Sequence, residues 1–124
     1  MNKENSYRLI ATPVFKLSLQ RLSHFLTRKF NGQLAQKNKQ QLKQKLMLLT
    51  KQPYIAPISE RLLELGICDY RQWLVDEHNI VFYRIDEQEN YQQTNKQQTK
   101  IILLLVMDSR QGMQKLLYDL LLIS

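Results

Sequence analysis

Apolar positions in the first part of the chain follow the pattern of one short strand and then a helix. Tyr7–Thr12 is β-favouring and ends at Thr12-Pro13, an N-cap residue followed by proline at the first helical position. Between Val14 and Phe30 the apolar residues recur at helical spacing, at Phe15, Leu19, Leu22 and Leu26. The pattern therefore predicts a strand that runs directly into a helix.

A second helix is predicted over Gln33–Lys51. It follows a turn at Asn31-Gly32, and Pro53 ends it. Its other faces are rich in lysine and glutamine, and its apolar stripe consists of Ala35, Leu42, Leu46 and Leu49. Two amphipathic helices joined by so short a turn should pack antiparallel, as an αα-hairpin resting on another apolar surface.

Strand periodicity dominates the region after Pro53. Arg61–Leu65 is predicted as a short strand, and Tyr70–Asp76 and Ile80–Asp86 are predicted as the two strands of a β-hairpin. Trp73 and Tyr83 should contribute to the core, as aromatic residues on sheet faces usually do. A polar, glutamine-rich connection, Glu87–Thr99, follows the hairpin.

The last elements complete the predicted fold. Lys100–Met107 is a nearly continuous apolar run, which is typical of a central strand covered on both faces. After a turn, Met113–Ile123 forms a closing helix with an apolar stripe. We therefore expect an α+β fold: an N-terminal strand, an αα-hairpin, an antiparallel meander and a short C-terminal helix.

Composition narrows the class of protein. A chain of 124 residues fits one domain, residues 1–124. Its apolar runs are shorter than the roughly 20 residues of a membrane span, and its polar N-terminus is unlike a signal peptide. We therefore expect no membrane association and a cytoplasmic location. The sequence contains one cysteine, Cys68, and two histidines, His24 and His78. Because so few side chains of this kind are available to bind a metal ion, we expect no metal or cofactor.

Charge is distributed unevenly along the chain. Residues 1–52 carry eleven Lys and Arg residues against one acidic residue, whereas residues 53–124 carry seven against ten, and the whole chain has a net charge of +7. A basic region of this kind attracts either nucleic acid or an acidic protein. The densest group is Lys37, Lys39, Lys43 and Lys45, for which a solvated helix face is the alternative interpretation.

Several short motifs occur together in a specific order. They are Tyr7-Arg8-Leu9, the leucine-rich stretch before Pro53, Asp69-Tyr70-Arg71, Ile80 to Asp86, and Asp108-Ser109-Arg110-Gln111. With the predicted order of elements, this set resembles the RelE/ParE superfamily of toxins from bacterial type II toxin-antitoxin modules. The resemblance covers Tyr7 to about Leu121.

The resemblance implies two alternative activities. Members of the RelE branch are ribosome-dependent mRNA endonucleases that use several basic residues and a late tyrosine. Of that pattern only Arg71 and Arg110 remain here, because Trp73 and Asn79 stand at other basic positions and Tyr118 is displaced from the tyrosine position. This branch would make the chain a metal-independent endoribonuclease acting on the ribosome with its mRNA.

The ParE branch fits the last motif better. Asp108-Ser109-Arg110-Gln111 is similar to the His-x-Arg-Gln element of ParE-like chains, with Asp108 in place of histidine. ParE-like toxins inhibit DNA gyrase without bond chemistry of their own. The favoured hypothesis is therefore a non-enzymatic gyrase inhibitor; a module that binds its antitoxin without being toxic is a third possibility.

The same resemblance implies a cognate antitoxin as partner. Arg110, in a turn after the central strand, is the residue expected to carry toxicity, whereas strand arginines more often pair with nearby acids. The helical hairpin and the terminal helix should present apolar surface to an antitoxin segment that folds on binding. The expected antitoxin-binding residues are Lys37, Lys39, Lys43, Lys45, Phe15, Leu19, Leu22, Leu116 and Leu120.

Overall fold

A single residue, Thr12, separates the first strand from the first helix. β1 covers Ser6–Ala11 and α1 covers Pro13–Lys29 in the computed structural model, which describes residues 6–88 and 98–122. Thr12 has an extended backbone, and its hydroxyl accepts a hydrogen bond from the Phe15 N–H at 3.0 Å. The predicted passage from strand to helix is confirmed, because the Thr-Pro pair both caps and starts α1.

The second helix begins immediately after the first. α2 covers Gly32–Leu46 and is capped by the Asn31 side chain, which accepts from the Leu34 N–H at 2.7 Å. A 3₁₀ turn, Met47–Thr50, tightens its end ahead of Pro53. α1 packs against α2, and the apolar stripe predicted for the second helix is buried. The helical hairpin is therefore confirmed.

The other elements form a mixed sheet and its second covering layer. They are α3 (Glu60–Glu64), β2 (Arg71–Leu74), β3 (Asn79–Gln88), β4 (Gln98–Asp108), α4 (Met113–Leu117) and a π-helical turn, Tyr118–Leu122. The strand order is β1-β4-β3-β2, with β1 parallel to β4 and the other pairs antiparallel. The central position predicted for the strand at Lys100–Met107 is confirmed. No helix within these described ranges has the length and apolar character needed to cross a membrane.

Both faces of the sheet carry a hydrophobic core. The helical hairpin covers the face formed by Val81, Tyr83, Ile101, Leu103 and Val106, with Trp73 beside them. α3 and the C-terminal segment cover the opposite face, which includes Ile80, Phe82, Leu105 and Met107. Trp73 and Tyr83 are buried as predicted.

A bulge in β4 changes which of the two cores its side chains enter. Tyr83 pairs with Leu103 and Phe82 pairs with Leu105, so Leu104 is an extra residue on β4. Side chains alternate strictly along a regular strand, and one extra residue reverses that alternation. Leu103 and Leu105 consequently lie in opposite cores, a feature that a continuous apolar run does not reveal.

Beyond Leu103, β4 has no strand beside it on one edge, and α1 takes that place. The last pair between β1 and β4 is Ala11 with Leu103. Thr12 then donates to the Leu103 carbonyl through its backbone N–H at 3.2 Å and its hydroxyl at 2.9 Å. Further along, the fully buried Ser18 hydroxyl accepts from the Val106 N–H at 2.9 Å and donates to the Phe15 carbonyl at 2.7 Å. Thr12, which caps α1, and Ser18, within α1, therefore provide hydrogen-bond partners for the backbone at this edge of β4, where no strand lies alongside.

Three predictions about elements are corrected. Arg61–Leu65 was expected to be a strand, but the segment is helical because Ser59 caps α3 by accepting from the Leu62 N–H at 3.2 Å. The polar connection begins and ends inside extended strands, and its central part, residues 89–97, lies outside the described residues. The closing helix is shorter than predicted and ends in the π-helical turn, with Ile123 outside the described range.

The apolar residues expected to meet an antitoxin are also placed differently. Phe15, Leu22, Leu116 and Leu120 are all buried, and only Leu19 is partly exposed. Their apolar surface is already used inside the chain, because the sheet has a core on each face and needs both helical layers to cover it. These four side chains therefore do not form the free surface that the sequence suggested.

Ser18 provides a test of the contact between α1 and β4. We expect Ser18→Ala to lower the free energy of unfolding by about 1 to 3 kcal/mol, because it leaves the buried Val106 N–H without a partner. Urea denaturation measures this change. Ser23→Ala, at a half-buried position on the same helix, is the control and should stay within about 0.5 kcal/mol of wild type. Equal stability of the two variants would contradict the role given to Ser18.

Candidate functional site

The turn after β4 holds one arginine in a fixed orientation. Arg110 donates from Nε to Asp108 Oδ1 at 2.8 Å and from Nη2 to Asp108 Oδ2 at 2.7 Å, and its backbone N–H also donates to Oδ1 at 2.8 Å. The Asp108 side chain is 3% exposed and that of Arg110 is 33% exposed. A buried carboxylate therefore aims a partly exposed guanidinium outward, in the two-bond geometry that fixes direction as well as distance.

Neighbouring groups hold this turn in place. Gln111 accepts the Asp108 N–H through Oε1 at 2.8 Å, and the Ser109 N–H donates to the His78 carbonyl at 2.8 Å. The Arg110 guanidinium also lies over the Phe30 ring, 4.9 Å from its centroid. Phe30 is the C-cap residue of α1. The end of α1, the turn after β4 and the turn between β2 and β3 therefore meet at this arginine.

A second polar cluster lies beside the first, in the turn between β2 and β3. Asp76 accepts from the backbone N–H groups of His78 and Asn79 at 3.0 and 2.9 Å and from Lys45 Nζ at 3.2 Å. The Asn79 amide donates to Asp76 Oδ2 and to Asn38 Oδ1, both at 2.8 Å. Asn79 also pairs with Asp108 across the sheet. This cluster joins α2 to the hairpin turn that supports the arginine.

The carboxylates of both clusters are held in their ionised form. Burial alone would raise the pKa of Asp76. Hydrogen bonds from Asn79, His78 and Lys45 outweigh that effect and bring the pKa down to about 2. Burial likewise opposes ionisation of Asp108, and the hydrogen bonds and charge of Arg110 bring its pKa below the usual value. Hydrogen bonding to Asp108 raises the pKa of Arg110. At neutral pH the Asp108–Arg110 pair is fully charged.

Arg110 lies where two surface grooves meet. The first, which we call the α2 groove, has a volume of about 450 Å³ and lies between the helical hairpin and the β2–β3 turn; its lining includes Phe30, Leu34, Lys37 and His78. The second, the α1 groove, has a volume of about 1000 Å³ and lies between α1 and the C-terminal segment. Arg110 lines both grooves.

The chain matches a known protein family along most of its length. Residues 9–111 match the family described as "ParE toxin of type II toxin-antitoxin system, parDE". The chain belongs to the ParE toxin family. The fold is accordingly of the RelE/ParE type, and the family implies a cognate antitoxin as partner. No curated protein matches the chain.

Arg71, the other arginine singled out in the sequence of this ParE-family toxin, has a different environment. It donates from Nη1 to the Ala56 carbonyl at 2.6 Å and lies over the Tyr54 ring, 4.9 Å from the centroid. It pairs through Tyr83 with Leu103, whereas Arg110 follows Asp108, and these two positions of β4 lie about 15 Å apart along the strand. Arg71 therefore anchors a loop, and it lines neither of the two grooves that Arg110 lines.

The lysine group of α2 is divided by the structure. Lys37, Lys39 and Lys43 are exposed, and Lys37 lines the α2 groove. Lys45 is partly buried against Asp76, so it belongs to the polar cluster of the hairpin turn. Within residues 6–88 and 98–122, no group of three His, Cys, Asp or Glu side chains is arranged to hold a metal ion.

Several residues of this site were missed in the sequence. Asp108 was noted for replacing a histidine, but its pairing with Arg110 was not predicted, and neither was the Asn38–Asn79 amide pair. The spacing of Asp108 and Arg110 is a local signal for the first contact. Residues 38 and 79 come from separate elements, so periodicity gives no signal for the second.

Acid titration tests the role of Asp76. Its pKa is about 2 in the folded toxin and 3.8 in its ordinary state, so its ionisation stabilises the fold above about pH 4 and that contribution is lost as the pH falls through about 2. We expect Asp76→Asn to be less stable than wild type at pH 7 by about 1 to 2 kcal/mol, with the difference shrinking as the pH falls through about 2. Urea denaturation at a series of pH values measures it.

A matched control for this titration is Asp69→Asn, at an exposed position whose positive φ of 71° asparagine tolerates. Its stability should follow wild type across the same pH range. A stability gap for Asp76→Asn that stays constant from pH 7 to pH 2 would show that the ionised carboxylate is not its source.

Proposed function

We propose that this toxin arrests growth by binding DNA gyrase through the surface around Arg110. The observation that carries the proposal is the Asp108–Arg110 pair, which presents a permanent, oriented cation at the end of the central strand. A general acid or base must exchange protons near neutral pH, and neither member of this pair does so. A fixed guanidinium beside an exposed aromatic ring is suited to recognition of a protein partner.

The alternative, ribosome-dependent mRNA cleavage, would require cations around one phosphate. Arg71 and Arg110 are the two arginines that match that pattern, and the separation of their backbone positions along the sheet counts against a shared phosphate site. The geometry therefore favours inhibition by binding. mRNA cleavage remains the outcome against which the proposal is tested.

Neutralisation by the antitoxin is proposed to occur at the α2 groove. Phe30 and Leu34 are 42% and 39% exposed, and they lie beside Lys37 and Arg110 in the groove lining. An amphipathic segment would cover the two apolar side chains. Two cations of the lining, Lys45 and Arg110, already have carboxylate partners, so an acidic side chain of the segment would meet Lys37 at the edge of the groove. Occupation of this groove would also cover Arg110, which gives a direct route from antitoxin binding to loss of toxicity.

Arg110 is tested in a background that removes the buried charge of its partner. Arg110→Gln alone would leave the Asp108 carboxylate buried and unpaired, and loss of stability would then imitate loss of function. We therefore compare Asp108→Asn with the double variant Asp108→Asn/Arg110→Gln. The single variant keeps the cation but holds it through one amide oxygen, so it should retain part of the inhibition. The double variant should lose at least about tenfold more in inhibitory potency than the single variant, as expected for a central interface arginine. Supercoiling by purified gyrase measures the difference.

Expression of the chain without antitoxin separates the candidate activities. Growth, plasmid supercoiling and bulk translation are followed together, with Arg61→Gln, an exposed position on α3, as the matched arginine control. Growth arrest with lost supercoiling supports the proposal. Growth arrest with normal supercoiling and fragmented mRNA would replace it with the nuclease activity, and normal growth would indicate a module without toxicity.

Charge should control how fast the antitoxin binds. Lys37, Lys39 and Lys43 are exposed, so replacing all three with glutamine should slow association by about three- to tenfold, with a smaller effect on dissociation. Lys45 is left intact because its contact with Asp76 supports the fold. Stopped-flow mixing with the antitoxin at several salt concentrations measures the rates. An unchanged association rate would show that these lysines form only a solvated face.

A further inference from the structure

The α1 groove is strongly basic and differs from the α2 groove. Its lining includes five cationic side chains, Arg21, Arg28, Lys29, Arg110 and Lys115, against one acidic side chain, Asp119. Two of the cations have carboxylate partners: Arg21 lies 3.9 Å from Asp119, and Arg110 lies 2.7 Å from Asp108. Arg28, Lys29 and Lys115 are exposed, and no carboxylate pairs with them within the described ranges.

The cations are spread along the length of the groove. Arg21 and Arg28 are two helical turns apart on α1, a distance of about 10 Å, and Lys29 follows at the end of that helix. Lys115 projects from α4 on the opposite wall, and Arg110 lies where the walls meet. A long, flexible or rod-shaped polyanion would meet positive charge at each of these points, whereas a small anion would meet one.

Apolar surface in this groove is limited. Lys29 lies over the Phe25 ring, 5.5 Å from its centroid, and Leu116 is 7% exposed, so Leu17 is the main apolar side chain open to a ligand. An amphipathic protein helix needs an apolar stripe to bury, and such a stripe is better provided by Phe30 and Leu34 in the α2 groove. The neutral donors Gln20 and Gln111 also line the α1 groove and suit phosphate oxygens.

We propose that the α1 groove binds the phosphodiester backbone of duplex DNA. Binding of this kind is independent of base sequence, because the contacts are to phosphates, and it weakens steeply as salt rises. The inference goes beyond gyrase inhibition, and it is tested in an assay that contains no gyrase. The toxin is a DNA-binding protein as well as a protein-binding one, with Arg110 at the junction of the two surfaces.

Fluorescence anisotropy with a labelled duplex of mixed sequence tests the groove. The wild-type toxin is compared with Arg28→Gln/Lys29→Gln/Lys115→Gln, in which three exposed cations of the groove are removed. The matched control is Arg8→Gln/Lys51→Gln/Arg61→Gln, which removes three exposed cations outside the groove. Both variants should fold, because all six positions lie on the surface. Circular dichroism and thermal melting verify this.

The groove variant should bind DNA on the order of tenfold more weakly or worse, while the control variant stays within about threefold of wild type. The slope of log affinity against log salt should become shallower by about 2 to 3 in the groove variant alone. Equal losses in both variants would show that net charge, and not the groove, attracts DNA, and an absence of wild-type binding would overturn the proposal outright.

A glutamate-rich peptide of matched charge serves as the second ligand. If the peptide binds more tightly than the duplex, and if the groove variant loses binding of the peptide alone, the occupant of the groove is an acidic protein segment and the proposal is wrong.

Discussion

The backbone hydrogen bonds of β4 are the constraint on which the rest of the structure depends. From Leu103 to Asp108, β4 is buried on both faces, so the N–H and C=O groups of this part need partners that water does not supply. β3 satisfies one edge along the whole strand, but β1 satisfies the other only as far as Leu103. From that point α1 takes over through Thr12 and Ser18. The position of α1, and of the helical hairpin it begins, follows from this requirement.

The same strand determines where the candidate site lies. The bulge at Leu104 turns the last residues of β4 so that Val106 faces the helical hairpin and Met107 faces the C-terminal layer. Asp108 then emerges at the sheet end, buried but next to solvent, and the charge of Arg110 makes its burial tolerable. An ion pair of this kind adds little net stability compared with apolar residues of similar size. Its value to the toxin is direction, because it fixes where the guanidinium points.

Local patterns in the sequence predicted most of the fold, and contacts between distant elements account for what was missed. Thr12-Pro13, Asn31-Gly32 and Pro53 are signals confined to a few residues, and the helix limits they indicate agree with the structure to within a few residues. The short helix at Glu60 was interpreted as a strand because its five residues are too few to show a helical period. Ser59, a residue type that commonly caps helices, was the local signal for a helix start. The bulge at Leu104 and the burial of Phe15 and Leu22 depend on how the sheet is covered, and periodicity alone does not determine that. The predicted position of Arg110, just after the central strand, agrees with the structure, and its role in toxicity stays a prediction. The α1 groove was missed because its cations come from three separate segments.

The position of Arg110 at the junction of two grooves has a consequence for neutralisation. One guanidinium cannot be covered by a partner in the α2 groove and remain available to a ligand in the α1 groove, so the two surfaces are coupled through a shared residue. Coupling of this kind requires no change of conformation, because the pair with Asp108 holds the side chain in one orientation. By thermodynamic linkage, a DNA ligand that engages Arg110 weakens antitoxin binding by the same factor by which the antitoxin weakens DNA binding. In the proposed scheme, toxin held by DNA is therefore harder to neutralise than free toxin, and the antitoxin acts most effectively before the toxin reaches its target.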